Sequence, residues 1–282
     1  ALFRPITKKT WTVPSSERVP ELLRDAFRTA LTPRMGPVHL NLPRDVLSGQ
    51  FDYNEHSKPL EYRNHSTPLG DLEKIRAAAK LLKNSKKPVI IAGGGIKNTL
   101  GQNQTISLAE LLNCPIVTSP GHGDAIPFAH PLNAGQMGPR GNPVASRLVK
   151  EADVILALGT RLGFNSTFYS YDNLNVQARI IHIEIEPTEI GRFFPVSIGI
   201  WGDAPAISDQ LFQALNKLNH ISKVDQWTSQ FKDDRKHFLQ NRDDQAIMTT
   251  PIQPSGLFKV LRKVLPENSS ITMDAGTLCL QA

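Results

Sequence analysis

The sequence predicts an α/β fold built on an open, doubly wound parallel sheet, and three observations carry this prediction. Short runs of apolar, mostly β-branched residues recur along the chain. Segments with one apolar face at helical spacing separate these runs, as in βαβ units whose buried sheet has helices on both faces. Glycine or polar residues follow several predicted strands, which is typical of sheets that bind ligands at the carboxyl ends of their strands.

The elements of the predicted sheet lie between residues 70 and 220. A helix begins at Gly70-Asp71, because Leu72, Ile75, Ala79 and Leu82 then share one face. In chain order, the later segments predict strands at 88–92, 114–119, 152–160, 178–187 and 196–203, and helices at 105–113, 143–152 and 204–218.

Partial α/β units are predicted at both ends of the chain. The apolar spacing over 19–31 predicts a helix capped by Ser15-Ser16, and a strand follows at 38–42. Near the other end, a helix precedes a strand at 271–273 and a turn at Gly276. We therefore expect a fragment of a longer protein, divided into the tail of an upstream domain (1–50), a linker (51–69), a central nucleotide-binding-like domain (70–220), a polar connector that carries a helix (221–250) and the start of a further domain (251–282).

Composition excludes several classes of protein. No window approaches the roughly 18 apolar residues of a membrane span, and Cys114 and Cys279 form neither a disulfide framework nor a metal-ligand spacing. A reducing, cytoplasmic location is expected. The net charge is +6, but the basic residues come as scattered pairs such as Lys86-Lys87 without interleaved aromatics. This favours a solvated surface that attracts anionic ligands over a nucleic-acid surface.

Glycines and one arginine follow two of the predicted strands. Gly93, Gly94 and Gly95 end the first, where glycine lets backbone N–H groups approach a phosphate, although a tight turn explains them equally well. Gly159 and Arg161 end another strand. The arginine suits phosphate or ribose oxygens, and the alternative is a surface ion pair.

Carboxylates follow the next two strands. Alternation places Glu184 and Glu186 on one face, where either accepts hydrogen bonds from ribose hydroxyls. Asp203 lies in an equivalent place, although its ordinary role is the N-cap of the following helix. Because all these strand ends share one edge of the sheet, together they favour a nucleotide-like ligand.

The glycine-rich segment 121–142 is predicted as a loop that lies over the ligand. It contains His122, Asp124 and His130, but their spacing matches no standard metal site. The sequence has no nucleophile elbow, phosphate-binding P-loop or zinc-protease helix, so it predicts a binding domain with neither catalytic residue nor metal ligand.

The order of the motifs identifies a family resemblance. In sequence, "GPVHLNLPRDV", "KPVIIAGGG", "HPLNAGQMGPRGN", "ADVILALGTRL" and "IIHIEIEPTEIGR" follow one another along nearly the whole chain. This order resembles that of thiamine-diphosphate (ThDP) enzymes of the acetolactate synthase type.

The resemblance implies a three-domain parent protein. The chain would comprise the end of a pyrimidine-binding domain, a whole Rossmann-like central domain and the start of a diphosphate-binding domain, in which Gly276 and Thr277 lie beside the phosphates of ThDP. The parent would be a homodimer or homotetramer that uses ThDP and Mg²⁺ to decarboxylate a 2-keto acid such as pyruvate and to transfer a two-carbon unit. The activating glutamate and the Mg²⁺ ligands of the family have no counterpart in the chain, so the fragment alone is expected to be inactive.

For the central domain, the resemblance implies FAD or ADP. The residues carried over from the family motifs are Gly93, Gly94, Arg140, Gly141, Gly159, Arg161, Glu184 and Asp203. The chain has "LGFNST" where acetolactate synthases have an acidic pair after the arginine, which brings forward the similar sulfoacetaldehyde acetyltransferases, enzymes that make acetyl phosphate. The alternatives from other classes are a non-catalytic nucleotide-binding domain, as in sirtuin-like or electron-transfer-flavoprotein-like proteins, and a domain that only holds subunits together.

Overall fold

The computed structural model of the chain describes residues 2–52, 58–62, 66–97, 101–219, 221–266, 268–272 and 276. The chain divides into two units, Ala1–Pro68 and Leu69–Ala282. Within the described residues, no helix combines the length and apolar character that crossing a membrane requires.

The first unit contains a small parallel sheet. Strand β1 (Thr10–Thr12) pairs with β2 (His39–Asn41), and helix α1 (Val19–Leu31) connects them. The predicted helix and the predicted strand are thus confirmed, whereas β1 is too short for its sequence to show alternation. Two short helices follow, α2 (Arg44–Ser48) and α3 (Pro59–Tyr62), the latter inside the predicted linker.

The predicted serine cap of α1 is wrong. A 3₁₀ turn over Ser16–Arg18 precedes α1, and neither this turn nor α1 has a side-chain cap. The hydroxyl of Ser16 instead donates to the carbonyl of Val46 at 2.6 Å, because the chain returns close to it after β2.

The second unit confirms the predicted fold class. Six parallel strands form one sheet in the order β5-β4-β3-β6-β7-β8. Their bounds are β3 (Pro88–Ala92), β4 (Ile116–Thr118), β5 (Asn133–Gln136), β6 (Val154–Leu158), β7 (Arg179–Glu184) and β8 (Ile198–Trp201). The chain runs outward from β3 through β4 to β5 and then returns beside β3 with β6. The topological switch point of the sheet therefore lies between β3 and β6.

Helices cover both faces of this sheet. They are α4 (Leu72–Lys83), α5 (Gly101–Leu112), α6 (Pro143–Glu151), α8 (Ala204–Lys217) and α9 (Asp225–Gln245). The single turn α7 (Phe164–Thr167) follows β6, and α10 (Pro254–Val264) contacts α9. Alternate residues of β3, β4, β6 and β7 enter opposite clusters. Ile90 lies in the cluster with α4, α5 and α8, and Ile91 lies in the cluster with α6 and α9. The central strands β3 and β6 read as continuous apolar runs because both of their faces are buried.

Two predictions within this unit need correction. Leu72 is 62% exposed and does not share the buried face of α4, whereas Ala78 does. The loop predicted over 121–142 contains β5, an edge strand whose sequence, "NAGQ", has no apolar run. At the far end, Ile271 and Thr272 belong to no strand, while Met273 and Cys279 lie outside the described residues.

Helix α9 packs its first turns against the sheet although its sequence is highly charged. Trp227, Thr228 and Phe231 are buried. The indole N–H of Trp227 donates to the carbonyl of Pro88 at 3.0 Å, and the hydroxyl of Thr228 donates to the carbonyl of Asn113. The predicted connector thus contributes to the core of this unit.

Candidate functional site

The ends of β3 and β6 meet at the switch point through glycine. The N–H of Gly93 donates to the carbonyl of Leu158 at 2.9 Å, and the N–H of Gly95 donates to that of Gly159 at 3.0 Å. A Cβ on Gly93 would lie 2.3 Å from the oxygen of Gly159, whose own φ is +55°. Close backbone packing therefore requires both glycines. Of the three N–H groups in this turn, only that of Gly94 has no acceptor in the described part of the chain.

A buried polar network links the ends of β4 and β6 to the middle of β7. The hydroxyls of Ser119 and Thr160 share a hydrogen bond of 2.8 Å. The carbonyl of Thr160 accepts from Nε2–H of His182 at 2.8 Å, and Nδ1 of His182 accepts from the N–H of Gly191 at 3.3 Å. Both ring nitrogens of this histidine are thus used in the neutral form. Burial lowers the pKa of His182, outweighing the hydrogen bond to Thr160 and the charge of Glu189.

Arg161 projects from this fixed edge. It is exposed, and its guanidinium makes no ion pair or hydrogen bond to any described residue. The next residue, Leu162, has φ +49° and is 2% exposed, so it anchors the turn that presents the arginine. This geometry does not provide the surface ion pair that was the alternative for Arg161.

Aromatic rings follow Arg161 in the segment where the resemblance expects an acidic pair. Phe164 stacks on Phe168 with ring centroids 4.8 Å apart, and Tyr169 stacks on Phe193 at 4.3 Å. Phe164, Phe168 and Tyr169 are all exposed. This side of the strand-end region therefore presents apolar aromatic rings where the resemblance leads us to expect two acidic side chains.

The other side of the switch point carries a histidine and an ion pair. His122 lies over Gly94, so that a Cβ on the glycine would be 2.7 Å from Cε1 of the ring. Lys97 pairs with Asp124 at 2.7 Å. Burial and then the charge of Lys97 lower the pKa of His122, and Asp124 opposes this. Nδ1 of His122 and the hydroxyl of Thr118 are buried without a described partner.

These residues do not form a metal site. Nε2 of His130 lies 3.3 Å from a carboxylate oxygen of Glu110. Among the described residues, no group of three or more His, Cys, Asp or Glu side chains is arranged to hold a metal ion.

The strand-end carboxylates already have local hydrogen bonds. Glu184 is buried and accepts from the N–H groups of Ile185 at 3.0 Å and Glu186 at 3.4 Å. Asp203 caps α8 by accepting from the N–H of Ala206 at 3.2 Å. Burial raises the pKa of Asp203, and that hydrogen bond opposes the rise. Asp203 thus performs the ordinary capping role that its position also predicts.

The remaining predicted residues lie farther along the chain. Arg140 is exposed on the connection from β5 to α6, and a Cβ on Gly141 would lie 2.4 Å from the carbonyl oxygen of Gln136. Gly276 follows α10 and belongs to no strand, and Thr277 lies outside the described residues. The structure therefore places Gly93, Gly94, Gly159, Arg161, Glu184 and Asp203 at the carboxyl edge of one sheet, with Arg140 and Gly141 following its edge strand.

Sequence reasoning missed Ser119, Thr160 and His182. The available signal was polarity in an apolar setting, since His182 interrupts the run "RIIHIE" and is 2% exposed. A buried histidine in such a strand indicates a specific hydrogen-bond network.

Comparisons of the sequence with a family model and with curated proteins agree on one family. Residues 75–211 match the family described as "Thiamine pyrophosphate enzyme, central domain". The chain is 34% identical to a probable acetolactate synthase large subunit of Methanocaldococcus jannaschii, over 98% of this chain and 47% of the relative. It is 32% identical to a probable acetolactate synthase large subunit of Methanococcus aeolicus, over 98% of this chain and 48% of the relative.

A second activity is represented among the relatives. The chain is 30% identical to a sulfoacetaldehyde acetyltransferase of Alcaligenes xylosoxydans xylosoxydans, over 98% of this chain and 49% of the relative. The chain spans about half the length of the curated relatives that it matches.

Proposed function

Because residues 75–211 belong to the thiamine pyrophosphate enzyme central-domain family, we propose that the chain is part of a ThDP-dependent transferase or lyase that acts on a 2-keto acid such as pyruvate. The observation that carries this proposal is the extent of the alignments. They include 98% of the chain and therefore extend beyond the central domain on both sides. When bound with Mg²⁺, ThDP supplies the carbanion chemistry of such enzymes.

The chain's own role in this proposal is binding and positioning. Gly276, which by the resemblance would lie beside the cofactor phosphates, is exposed, and no atom of a described residue lies within 4 Å of a Cβ built on it. A glycine at this position permits a phosphate group to approach the backbone closely. No proton transfer is assigned to the described residues.

We further propose that the carboxyl edge of the sheet binds an adenine nucleotide, either FAD or ADP. The exposed guanidinium of Arg161, after β6, suits a phosphate. The N–H of Gly94 follows the neighbouring strand β3, at the switch point. Thr118 and His122 each have a buried polar atom without a described partner. These orphaned atoms fit a polar ligand, because a buried polar atom normally has a hydrogen-bond partner. Equilibrium dialysis against ADP and FAD tests this proposal, and retention of neither would contradict it.

A sulfoacetaldehyde acetyltransferase-like enzyme is the second candidate. It is favoured by the exposed aromatic rings of Phe164, Phe168 and Tyr169, which follow Arg161 where acetolactate synthases have acidic residues. A non-catalytic nucleotide-binding domain is less well supported, because the alignments extend beyond the sheet domain.

The two enzymatic candidates differ in their products. The protein that contains this chain is assayed with ThDP and Mg²⁺, either with pyruvate alone or with sulfoacetaldehyde and phosphate. We expect acetolactate from pyruvate, whereas acetyl phosphate from the second mixture alone would select the acetyltransferase reading. Turnover of neither substrate would contradict the proposed activity.

The family resemblance also supports a homodimer or homotetramer. Light scattering on the same protein tests this, and a monomeric mass would contradict it.

A further inference from the structure

A basic cavity of about 700 Å³ lies at the amino edge of the sheet, beside the start of β3 and the first turn of α9. Its lining contains four lysines and no aspartate or glutamate. These are Lys83, Lys86, Lys87 and Lys223. The cavity lies at the other end of the same strands from the proposed nucleotide edge, because β3 runs between them over about 16 Å.

The charges of these lysines are poorly compensated. Lys83 donates to the neutral carbonyl of Leu218 at 2.7 Å. Lys87 lies 3.5 Å from Glu151 and 5.3 Å from the ring centroid of Trp227. Lys86 and Lys223 have no side-chain partner among the described residues. The lining lysines therefore carry up to four positive charges, and among the described residues only Glu151 forms an ion pair with one of them.

Hydrogen bonds to Asp153 fix the backbone that presents these lysines. Asp153 accepts from the hydroxyl of Ser85 at 2.5 Å and from the N–H groups of Lys86 and Lys87 at 2.8 and 2.9 Å. This carboxylate is thus engaged with the turn itself and does not pair with a lysine ammonium. On the other wall, Trp227 is 7% exposed and holds the start of α9 through its bond to Pro88.

We propose that this cavity binds a small anion that carries at least two phosphate groups. Its volume lies within the range of about 300–1,000 Å³ that is typical of small-molecule sites. Lysine binds phosphate as a point charge, and a cleft of one charge sign concentrates counter-ions. A small anion is favoured over a nucleic acid because the one aromatic ring in the lining is almost fully buried and offers no face for base stacking. The proposal does not depend on the proposed enzymatic function.

Lysine acetylation gives a local readout on the unmodified chain. The protein is treated with an acetylating ester in increasing inorganic pyrophosphate, and the modification of each lysine is measured by mass spectrometry. We expect a saturable loss of acetylation at Lys86 and Lys223. Lys58 and Lys263 are exposed and have no described side-chain partner, so their acetylation should not change. Equal protection of all four lysines, or protection of none, would overturn the proposal.

Calorimetric titration with pyrophosphate then tests the charges directly. Lys86→Gln combined with Lys223→Gln should weaken binding about ten-fold or more, because each removes a charge-assisted contact. The matched control is Lys58→Gln combined with Lys263→Gln, which removes the same net charge and should leave the affinity unchanged. Equal weakening by both pairs would show general electrostatic attraction and would contradict a site in the cavity.

Discussion

Replacing Gly159 by alanine would test the close contact between β3 and β6 on which the candidate site rests. The new methyl group would lie 2.6 Å from Cα of Gly95, closer than real Cβ contacts. The φ of +55° adds about 1–2 kcal/mol of backbone strain for a residue with a Cβ. Overpacking against backbone adds about 1–3 kcal/mol. We therefore expect the free energy of unfolding to fall by about 2–5 kcal/mol.

Urea denaturation of the purified chain measures this loss as a lower midpoint at constant slope. The control is Gly163→Ala, because Gly163 has φ −75° and no atom within 4 Å of a built Cβ. That change should alter stability by at most about 1 kcal/mol in either direction. Gly93→Ala should act like Gly159→Ala, and the double variant should cost less than the sum, since both changes break the same contact. A Gly159→Ala protein as stable as wild type would refute the close approach.

Three further outcomes are expected. Phe231→Ala should lower the free energy of unfolding in urea by about 3–5 kcal/mol, because the ring is fully buried. Phe128→Ala is the control, since that side chain is 57% exposed and its loss should cost about 1 kcal/mol at most. Similar losses in the two variants would contradict the packing of α9. Asp203→Ala should lower the free energy of unfolding by about 1 kcal/mol, because it removes the cap of α8. Asp203→Asn keeps an acceptor and removes a partly buried charge, so it should be more stable than the alanine variant. An asparagine variant as unstable as the alanine variant would contradict the capping role. Burial raises the pKa of Asp153 but hydrogen bonds, first from Ser85, lower it by more, so its stabilisation is complete above the unfolded pKa of about 3.9 and is lost as pH falls through the folded pKa. Thermal unfolding between neutral and acidic pH should therefore depend less on pH in Asp153→Asn, and an unchanged dependence would contradict this.

The sheet was predictable because its strands are buried on both faces. β3 and β6 read as continuous apolar runs, and their glycine endings indicate the carboxyl edge. β5 was not predictable, since an edge strand needs little apolar surface and its four residues include Asn133 and Gly135. The packing of α9 was obscured for a related reason, because only one face of its first turns is buried among many charges.

The sequence predicts where the candidate site lies, but it does not predict the hydrogen-bond network within the site. Strand ends on one edge follow from the parallel topology, and Arg161 lies just after the carboxyl end of β6, at the strand end where the sequence predicts it. The hydrogen bond shared by Ser119 and Thr160 joins residues 41 positions apart, and the one from His182 to Thr160 joins residues 22 positions apart. Such pairings depend on the register between strands, which periodicity along one strand does not encode. The sequence likewise gave no sign that the glycines at the switch point pack against each other.

Calorimetric titration of the Arg161→Ala variant with ADP and FAD tests the proposed nucleotide site most directly. If the exposed guanidinium makes a charge-assisted phosphate contact, its removal should cost about 1.5–3 kcal/mol, or roughly ten- to a hundred-fold in affinity. Arg76→Ala is the matched control, since Arg76 is an exposed arginine on α4 whose only ion-pair partner among the described residues is Glu73. We predict that the nucleotide that the wild-type protein binds will bind more weakly to Arg161→Ala and with unchanged affinity to Arg76→Ala. Identical affinities for wild type and Arg161→Ala, or no binding of either nucleotide to wild type, would contradict the account.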